Sequence, residues 1–500
     1  MRGIVERIGL VRGRNPHLGT VLERLALING DRRLVTEHGT GLELTYREAA
    51  DLVDRWAGGV RAQTSPGERV VVAMPNGYEQ VLACLAAARA GAVPAPVNDK
   101  MRDDEVRHVI EDAEADVVIR SVDDLAGGEP LGEAVPAEAG DLAALFYTSG
   151  TTGKPKGVQL SHRALAGQIG AGAAWPGGLR RDEAVFGLPV AHIMGFAAVL
   201  AMASLGIPTY FLPRFRPDDV LDAIEQRRAT VFVGVPTMYR LLLDAGAEER
   251  DLTSIRVWAT GADAMPGDLA RRFKKMGATA HVPLLGPVGE AMVAEGYGMV
   301  EVGGGVAFKL SPPMLPVGLG EGLGLPLRGY RMRVVDDGGA EVRVGEVGEL
   351  WVKGPGVLDG YFRSPEATAE ALTDDGWLRT GDLARRGPFG VVSFAGRQKD
   401  VVIRGGYTLF PKEIEEVLES HPGIAHAAVV GIPDERAGEV PAAALVAVDG
   451  EPFDTDVLAA WAGERLSDYK VPARWAVVDE LPATGSDKVQ RHEVRALFAD

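Results

Sequence analysis

The sequence predicts an α/β fold: a large N-terminal domain of parallel-rich sheets with a small barrel-like β unit, then a small α+β C-terminal domain. Three observations predict it. Short β-branched runs alternate with alanine-rich helical segments over most of the chain, the pattern of a largely parallel sheet covered on both faces. Near residue 316 the text changes to strands separated by Gly-rich turns. Beyond Arg397 helices and strands alternate again for about a hundred residues. We therefore expect domains over residues 1–397 and 398–500.

In order, "ERVVVAMP" reads as a strand, "YEQVLACLAAARAG" as a helix and "AVPAPVN" as a second strand. "ADVVIRS", "TVFVGVP" and "IRVWATG" continue the series, with helices "PDDVLDAIEQRR" and "GDLARRFKKMG" between them. "GYRMRVVD", "GEVGELWVKG" and "GVVSFAGR" form the strand-rich stretch. "KDVVIRGG", the helix "PKEIEEVLESH", "HAAVVGI", "AAALVAV" and the helix "DTDVLAAWAGERL" make up the last unit. "GLGEGLG" has the wrong spacing for a dinucleotide fingerprint, and no helix follows it.

Composition narrows the function. Charged residues at 25% and apolar residues at 46% fit a soluble globular protein. A formal charge of −17 excludes general nucleic-acid binding, because a polyanion is repelled over most of the surface. A small phosphorylated ligand remains compatible where lysines are placed locally. The single cysteine, Cys84, falls in an apolar helical stretch and reads as a core residue. The charged start is no secretory signal, and "GFAAVLAMASLGIP" is too short for a membrane span, so a cytoplasmic location is expected.

The most informative segment is "LFYTSGTTGKPKGV", residues 145–158. It packs four hydroxyl residues, three glycines and two lysines behind an apolar run. Phosphate oxygens want donors at short range, and glycine lets backbone N–H groups approach closely. The spacing is not that of the nucleoside-triphosphatase P-loop: Gly150 is three residues before Gly153, and Pro155 follows Lys154. "GVQLSH" continues as a strand, so the donors must come from the loop itself.

With "PVAHIMG", "VPTMYR", "ATGADAM", "GYGMVE", "GELWVKGPGV", "GWLRTGD", "GRQKDVVIRGG" and "LPATGSDKVQR" following in order, the chain resembles the acyl-adenylating superfamily. That superfamily includes acyl-CoA synthetases, firefly luciferase and the adenylation domains of peptide synthetases. The likeness runs from "LTYREAADL" to "KVQRHEV", and fatty acyl-CoA synthetases are nearest in character. It implies ATP, Mg2+ and coenzyme A as co-substrates and a C-terminal domain that swings between two positions.

The resemblance also implies residue roles. Thr148, Ser149, Thr151 and Thr152 offer hydroxyls to the β and γ phosphates, Gly150 and Gly153 open the backbone, and Lys154 adds local charge. Gly261, Ala262 and Asp263 of "TGADAM", with Tyr297 and Gly298 of "GYGMVE", border the nucleotide, Tyr297 lying against adenine. Glu301 holds Mg2+, with Thr148 as a second oxygen; magnesium needs few protein oxygens when phosphates supply the rest. Asp382 and Arg397 take the ribose hydroxyls. Lys488 meets the carboxylate and the α-phosphate, offsetting two negative charges as they approach. Lys399 marks the hinge, and Gly405, Gly406 and Tyr407 lie along the path of the CoA thiol.

His192, Gly195 and Met238 border the acyl group. Peptide-synthetase domains place an Asp where this chain has His192, which argues against an amino acid. A medium- or long-chain fatty acid is expected, with aryl or short dicarboxylic acids as alternatives; an acyl carrier protein could replace CoA as acceptor, and a catalytically silent nucleotide binder is the rival of another class. Val300 replaces the usual Thr, Asp263 a small residue, and Asp487 the usual Gly. "RRGPFGVV" replaces the acidic turn after Asp382, and "HVPLLGPVGEAMVAE" is longer than the family's segment.

Overall fold

The computed structural model describes residues 6–7, 9–10, 16–148, 155–167, 182–282, 284–314, 322–404, 407–434, 437–448, 454–483 and 489–499. The chain packs as two compact units, one of residues 1–332 and 352–378, the other of 333–351 and 379–500. The segments 333–351 and 379–397, read from sequence as part of the larger domain, pack with the C-terminal unit.

The first unit begins with β1 (Arg33–Glu37), β2 (Glu43–Thr45), β3 (Arg69–Val72), β4 (Val93–Pro96), β5 (Val117–Ile119), β6 (Leu142–Thr148) and β7 (Lys156–Ser161). It continues with β8 (Ala184–Phe186), β9 (Thr209–Phe211), β10 (Val231–Gly234), β11 (Val257–Gly261), β12 (Ala280–Val282), β13 (Gly286–Val288), β14 (Met292–Met299), β15 (Gly304–Ser311) and β16 (Leu325–Pro326). Nine of these form one sheet in the order β16-β15-β14-β11-β10-β8-β9-β1-β2. From β14 to β1 all neighbours are parallel; β2, β15 and β16 close the edges antiparallel. Of the parallel strands, β8 and β10 are short runs buried at every residue. A second parallel sheet runs β4-β3-β5.

Local chemistry explains the helices. Thr45 caps the helix Tyr46–Arg61 through a reciprocal capping box with Glu48, satisfying two N-terminal donors. The helix Tyr78–Arg89 is alanine-rich and buried along its whole length, as a helix between two layers must be. Cys84 sits in it at 2% exposure, and burial pushes its thiol well above the ordinary range, so it is core. The apolar stretch near residue 200 becomes the helix Ile193–Leu205. Among the described residues no helix is long and apolar enough to cross a membrane.

β6 and β7 pair antiparallel, Thr148 opposite Lys156, so the hydroxyl-rich segment joins two strands and does not open a helix. The extra stretch after residue 280 is the hairpin β12–β13, with Leu284 fully exposed and Leu285 largely so.

Next in chain order are β17 (Arg331–Val335), β18 (Val347–Lys353), β19 (Gly360–Tyr361), β20 (Leu378–Arg386), β21 (Val392–Arg397), β22 (Val402–Arg404), β23 (Tyr407–Leu409), β24 (Ile424–Asp434), β25 (Gly438–Ala447) and β26 (Arg474–Val477). β19 adds to β7 in the first unit. The small β unit expected after residue 316 is the sheet β17-β18-β20-β21. The rest of the second unit is α+β. The helices Pro411–Glu419 and Thr455–Gly463 place Ile414, Leu418 and Leu458 on one side of β24 and β25, while Val494 and Phe498 cover the other.

Candidate active site

In an open parallel sheet, ligands gather beyond the carboxyl ends of the strands. Here β11 and β14 run in register, Thr260 beside Glu295 and Gly261 beside Gly296. After Gly261 the chain turns through Ala262 at φ +66°, a left-handed conformation that costs a non-glycine residue about 1–2 kcal/mol. Asp263 is exposed, and its Oδ1 accepts from the Ala264 N–H at 2.8 Å. The Thr260 hydroxyl is buried and finds no hydrogen-bond partner among the described residues.

β14 ends in the motif that carries Tyr297 and Glu301. The register against β15 slips between Tyr297 and Gly298. A Cβ at Gly298 would fall 1.7 Å from the Gly304 carbonyl, so only glycine lets β15 return this closely. The 3-10 turn Val300–Val302 follows, with Val300 buried and Glu301 half-buried. Three groups hold this turn. The Tyr361 hydroxyl donates to Glu301 Oε1 at 3.1 Å, the Leu358 N–H to the Glu301 carbonyl at 2.8 Å, and the Tyr330 hydroxyl to the Val302 carbonyl at 3.1 Å. β6 and β7 pack against the same turn, and Thr148 is the last residue of β6.

One carboxylate and one hydroxyl suit a magnesium ion whose other ligands are phosphate oxygens and water. No group of three or more acidic, His or Cys side chains able to hold a metal occurs among the described residues. The donor set thus fits a phosphate-borne Mg2+ and not a protein-caged metal.

His192 caps the helix Ile193–Leu205, its Nδ1 accepting from the Met194 N–H at 3.3 Å, which places a proton on Nε2 in the neutral ring. Met194 reaches across so that its Cε lies 3.2 Å from where a Cβ on Gly261 would be. Ala197 stands 3.0 Å from the corresponding position at Gly304. Gly195 is buried, and a Cβ there would fall 2.1 Å from the Pro189 carbonyl; packing of the helix on the preceding turn requires glycine at this position. Met238 is 7% exposed, with its sulfur toward Gly234. Across β14 and β15, Glu295 and Lys309 form a mostly buried ion pair at 3.0 Å. Burial pushes the Glu295 carboxyl above its usual range, against the opposing pull of Lys309.

In the second unit Asp382 and Arg397 face each other across β20 and β21, Nε to Oδ1 at 3.3 Å. Asp382 is 2% exposed, whereas Arg397 is about half exposed. Lys399 is exposed on the 3-10 turn Gln398–Asp400. Asp400 pairs with Arg491 at 3.2 Å, and Arg491 also grips Glu415 at 2.7 Å. Tyr407 opens β23 opposite Arg404. Ser149, Gly150, Thr151, Thr152, Gly153, Lys154, Gly405, Gly406, Asp487 and Lys488 lie outside the described residues.

Residues 22–362 match the family model described as AMP-binding enzyme, and residues 413–488 match that of the AMP-binding enzyme C-terminal domain. The chain belongs to the AMP-binding enzymes. It is an adenylate-forming acyl-CoA synthetase, with ATP, Mg2+ and CoA as co-substrates. It is 36% identical to a feruloyl-CoA synthase of Amycolatopsis sp., over 97% of this chain and 100% of the relative. It is 28% identical to the long-chain-fatty-acid–CoA ligase FadD13 of Mycobacterium tuberculosis, over 97% and 99%. Among solved structures, ATP-bound MatB from Rhodopseudomonas palustris superposes with a TM-score of 0.86 at 30% identity, over 97% and 99% of the two chains.

Tyr361, Thr260 and the Glu295–Lys309 pair were not singled out from sequence. The first is sixty residues from Glu301, and no local pattern joins them. The pair was within reach, since charges inside otherwise apolar strands call for partners.

Proposed function

We propose that the acid is bulky and largely apolar, with planar aryl-propenoic acids of the ferulate kind ahead of straight-chain fatty acids. The observation that carries this reading is the run of glycines where the helix Ile193–Leu205 meets the ends of β11, β14 and β15. Gly261, Gly296, Gly304 and Gly305 put no side chain there, and Met194 and Ala197 face two of them. These glycines let the helix approach closely, and the Met194 and Ala197 side chains it brings are apolar, which suits an apolar acyl group. The 36% identity to a feruloyl-CoA synthase supports the same choice. Straight-chain fatty acids are the second reading, favoured by the Ile193, Met194 and Met238 side chains and by the likeness to FadD13.

In this reading the acid's carboxylate oxygen attacks the α-phosphorus of ATP, pyrophosphate leaves, and the CoA thiolate then displaces AMP from the acyl carbonyl. Tyr297 lies against adenine, and Gly261, Ala262, Asp263 and Gly298 border the nucleotide. Asp382 and Arg397 hold the ribose. Thr148, Ser149, Thr151, Thr152 and Lys154 hold the β and γ phosphates, with Gly150 and Gly153 opening the backbone. Glu301 and Thr148 would hold Mg2+, which would supply charge neutralisation at the phosphates. Lys488 offsets the meeting of carboxylate and α-phosphate. The pivot lies at Lys399, between segments 1–397 and 398–500, and Gly405, Gly406 and Tyr407 border the thiol's route. CoA is the acceptor, ahead of an acyl carrier protein, and the cytoplasm is the compartment that supplies it with ATP.

Pyrophosphate release across ferulate, cinnamate, decanoate, palmitate, malonate and phenylalanine, with and without CoA, tests the reading. Ferulate or cinnamate should give the highest kcat/KM. A best substrate among the saturated acids would move the assignment to the second reading, and malonate or phenylalanine would overturn both.

A further inference from the structure

Glu301 sits on a turn of three residues, too short to fix its own carboxylate. Its Oε1 accepts the Tyr361 hydroxyl at 3.1 Å. Tyr361 is in turn held on every side. Its backbone pairs with Val158 on β7, its N–H donates to the Thr368 hydroxyl at 2.9 Å, and the Lys156 ammonium lies 5.7 Å from the centre of its ring. Lys156 is the residue directly opposite Thr148. One phenol therefore joins the carboxylate on the β14 turn to the hairpin that carries the hydroxyl-rich segment.

We infer that Tyr361 is a positioning residue for the metal site: its hydroxyl, donating to Oε1 of Glu301, fixes the orientation of the carboxylate that would hold a phosphate-borne Mg2+. The inference rests on Glu301 being the metal carboxylate. Hydrogen bonds to a ligating group commonly matter by roughly 10–100-fold in metal affinity.

The test is a Mn2+ titration of the protein complexed with a non-hydrolysable ATP analogue, read by loss of the free-ion EPR signal. Wild type, Tyr361→Phe, Glu301→Gln and the double variant are compared. Affinity for the same analogue in EDTA reports whether each fold is intact. Tyr361→Phe should weaken Mn2+ about tenfold and leave metal-free nucleotide affinity unchanged; in the Glu301→Gln background it should cost nothing further. An undiminished Mn2+ affinity, or an equal loss in both backgrounds, would overturn the positioning role. Should Glu301→Gln itself leave Mn2+ affinity intact, the metal reading of Glu301 fails, and that result is distinct from the others.

Discussion

The two units hold their functional residues by different means. In the first, the Glu301 turn is fixed by neutral donors, two phenols and a backbone N–H, in half-buried surroundings. In the second, Asp382 is tied to Arg397 and Asp400 to Arg491, ion pairs whose cations stand partly in water. Neutral hydrogen bonds inside a protein are indifferent to salt, whereas half-exposed ion pairs are screened. The difference is one of restraint: in the first unit a carboxylate is held by uncharged donors, in the second carboxylates are held by cations that water can reach.

The comparison breaks most visibly at Lys488. Lys488→Ala should slow adenylate formation about 10²–10³-fold, the range for one electrostatic stabiliser. The same variant should react a supplied acyl-adenylate with CoA nearly as fast as wild type. Single-turnover rates of the two half-reactions check this; an equal loss in both would remove the division between units.

Asp382→Asn keeps the shape but removes the charge facing Arg397. It should raise KM for ATP about 10–100-fold, as expected for bonds to a charged group, with a smaller change in kcat. The loss should shrink as salt increases, because wild type itself weakens. Glu301→Gln, by contrast, should show the same relative loss at every ionic strength.

The first unit has its own weak point, acid. His162 accepts the Leu18 N–H at 3.0 Å and stacks on His17, whose Nε2 faces the Val135 carbonyl. Arg89 and Glu23 act on His17, and Asp141 acts on His162. Burial, with the His17 ring beside it, lowers His162 from 6.5 to about 4. The unfolded chain therefore takes up the proton first. Stability from this contact is complete above about pH 6.5 and is lost as pH falls toward 4, on the order of 3 kcal/mol in all. His162→Gln keeps a polar group and cannot titrate, so its unfolding free energy should fall less steeply between those limits.

The smallest effect is expected at Val300. The side chain is 8% exposed and similar in shape to threonine, so Val300→Thr should change adenylation by less than about tenfold, or 1.4 kcal/mol. A larger drop in the burst of pyrophosphate would mean that an apolar group is required there.

Much of this architecture was legible because local chemistry and burial agree. Val70, Val71 and Val72 of "ERVVVAMP" are apolar and fully buried, and the alanine-rich helix after it is buried at every residue but Glu79. The hydroxyl-rich segment could be read as a strand-to-strand connection because "GVQLSH" carries a strand pattern, and β7 is that strand. Two things were hidden. That 333–351 and 379–397 pack with the C-terminal unit rests on tertiary contacts between distant segments, which leave no periodic mark in the sequence. The β12–β13 hairpin has no buried face to impose an alternation, so "HVPLLGPVGE" reads only as an extra length. Gly195 was read for the acyl border, yet the nearby Pro189 carbonyl alone explains a glycine there.

The central claim is that the acid's carboxylate oxygen attacks the α-phosphorus of ATP before any thioester forms. Ferulate labelled with 18O in both carboxylate oxygens, turned over with ATP, Mg2+ and CoA, tests it directly by mass spectrometry of the nucleotide product. The account predicts AMP carrying one 18O atom per thioester formed, and unlabelled pyrophosphate. ADP with labelled orthophosphate, or AMP free of label, would contradict it.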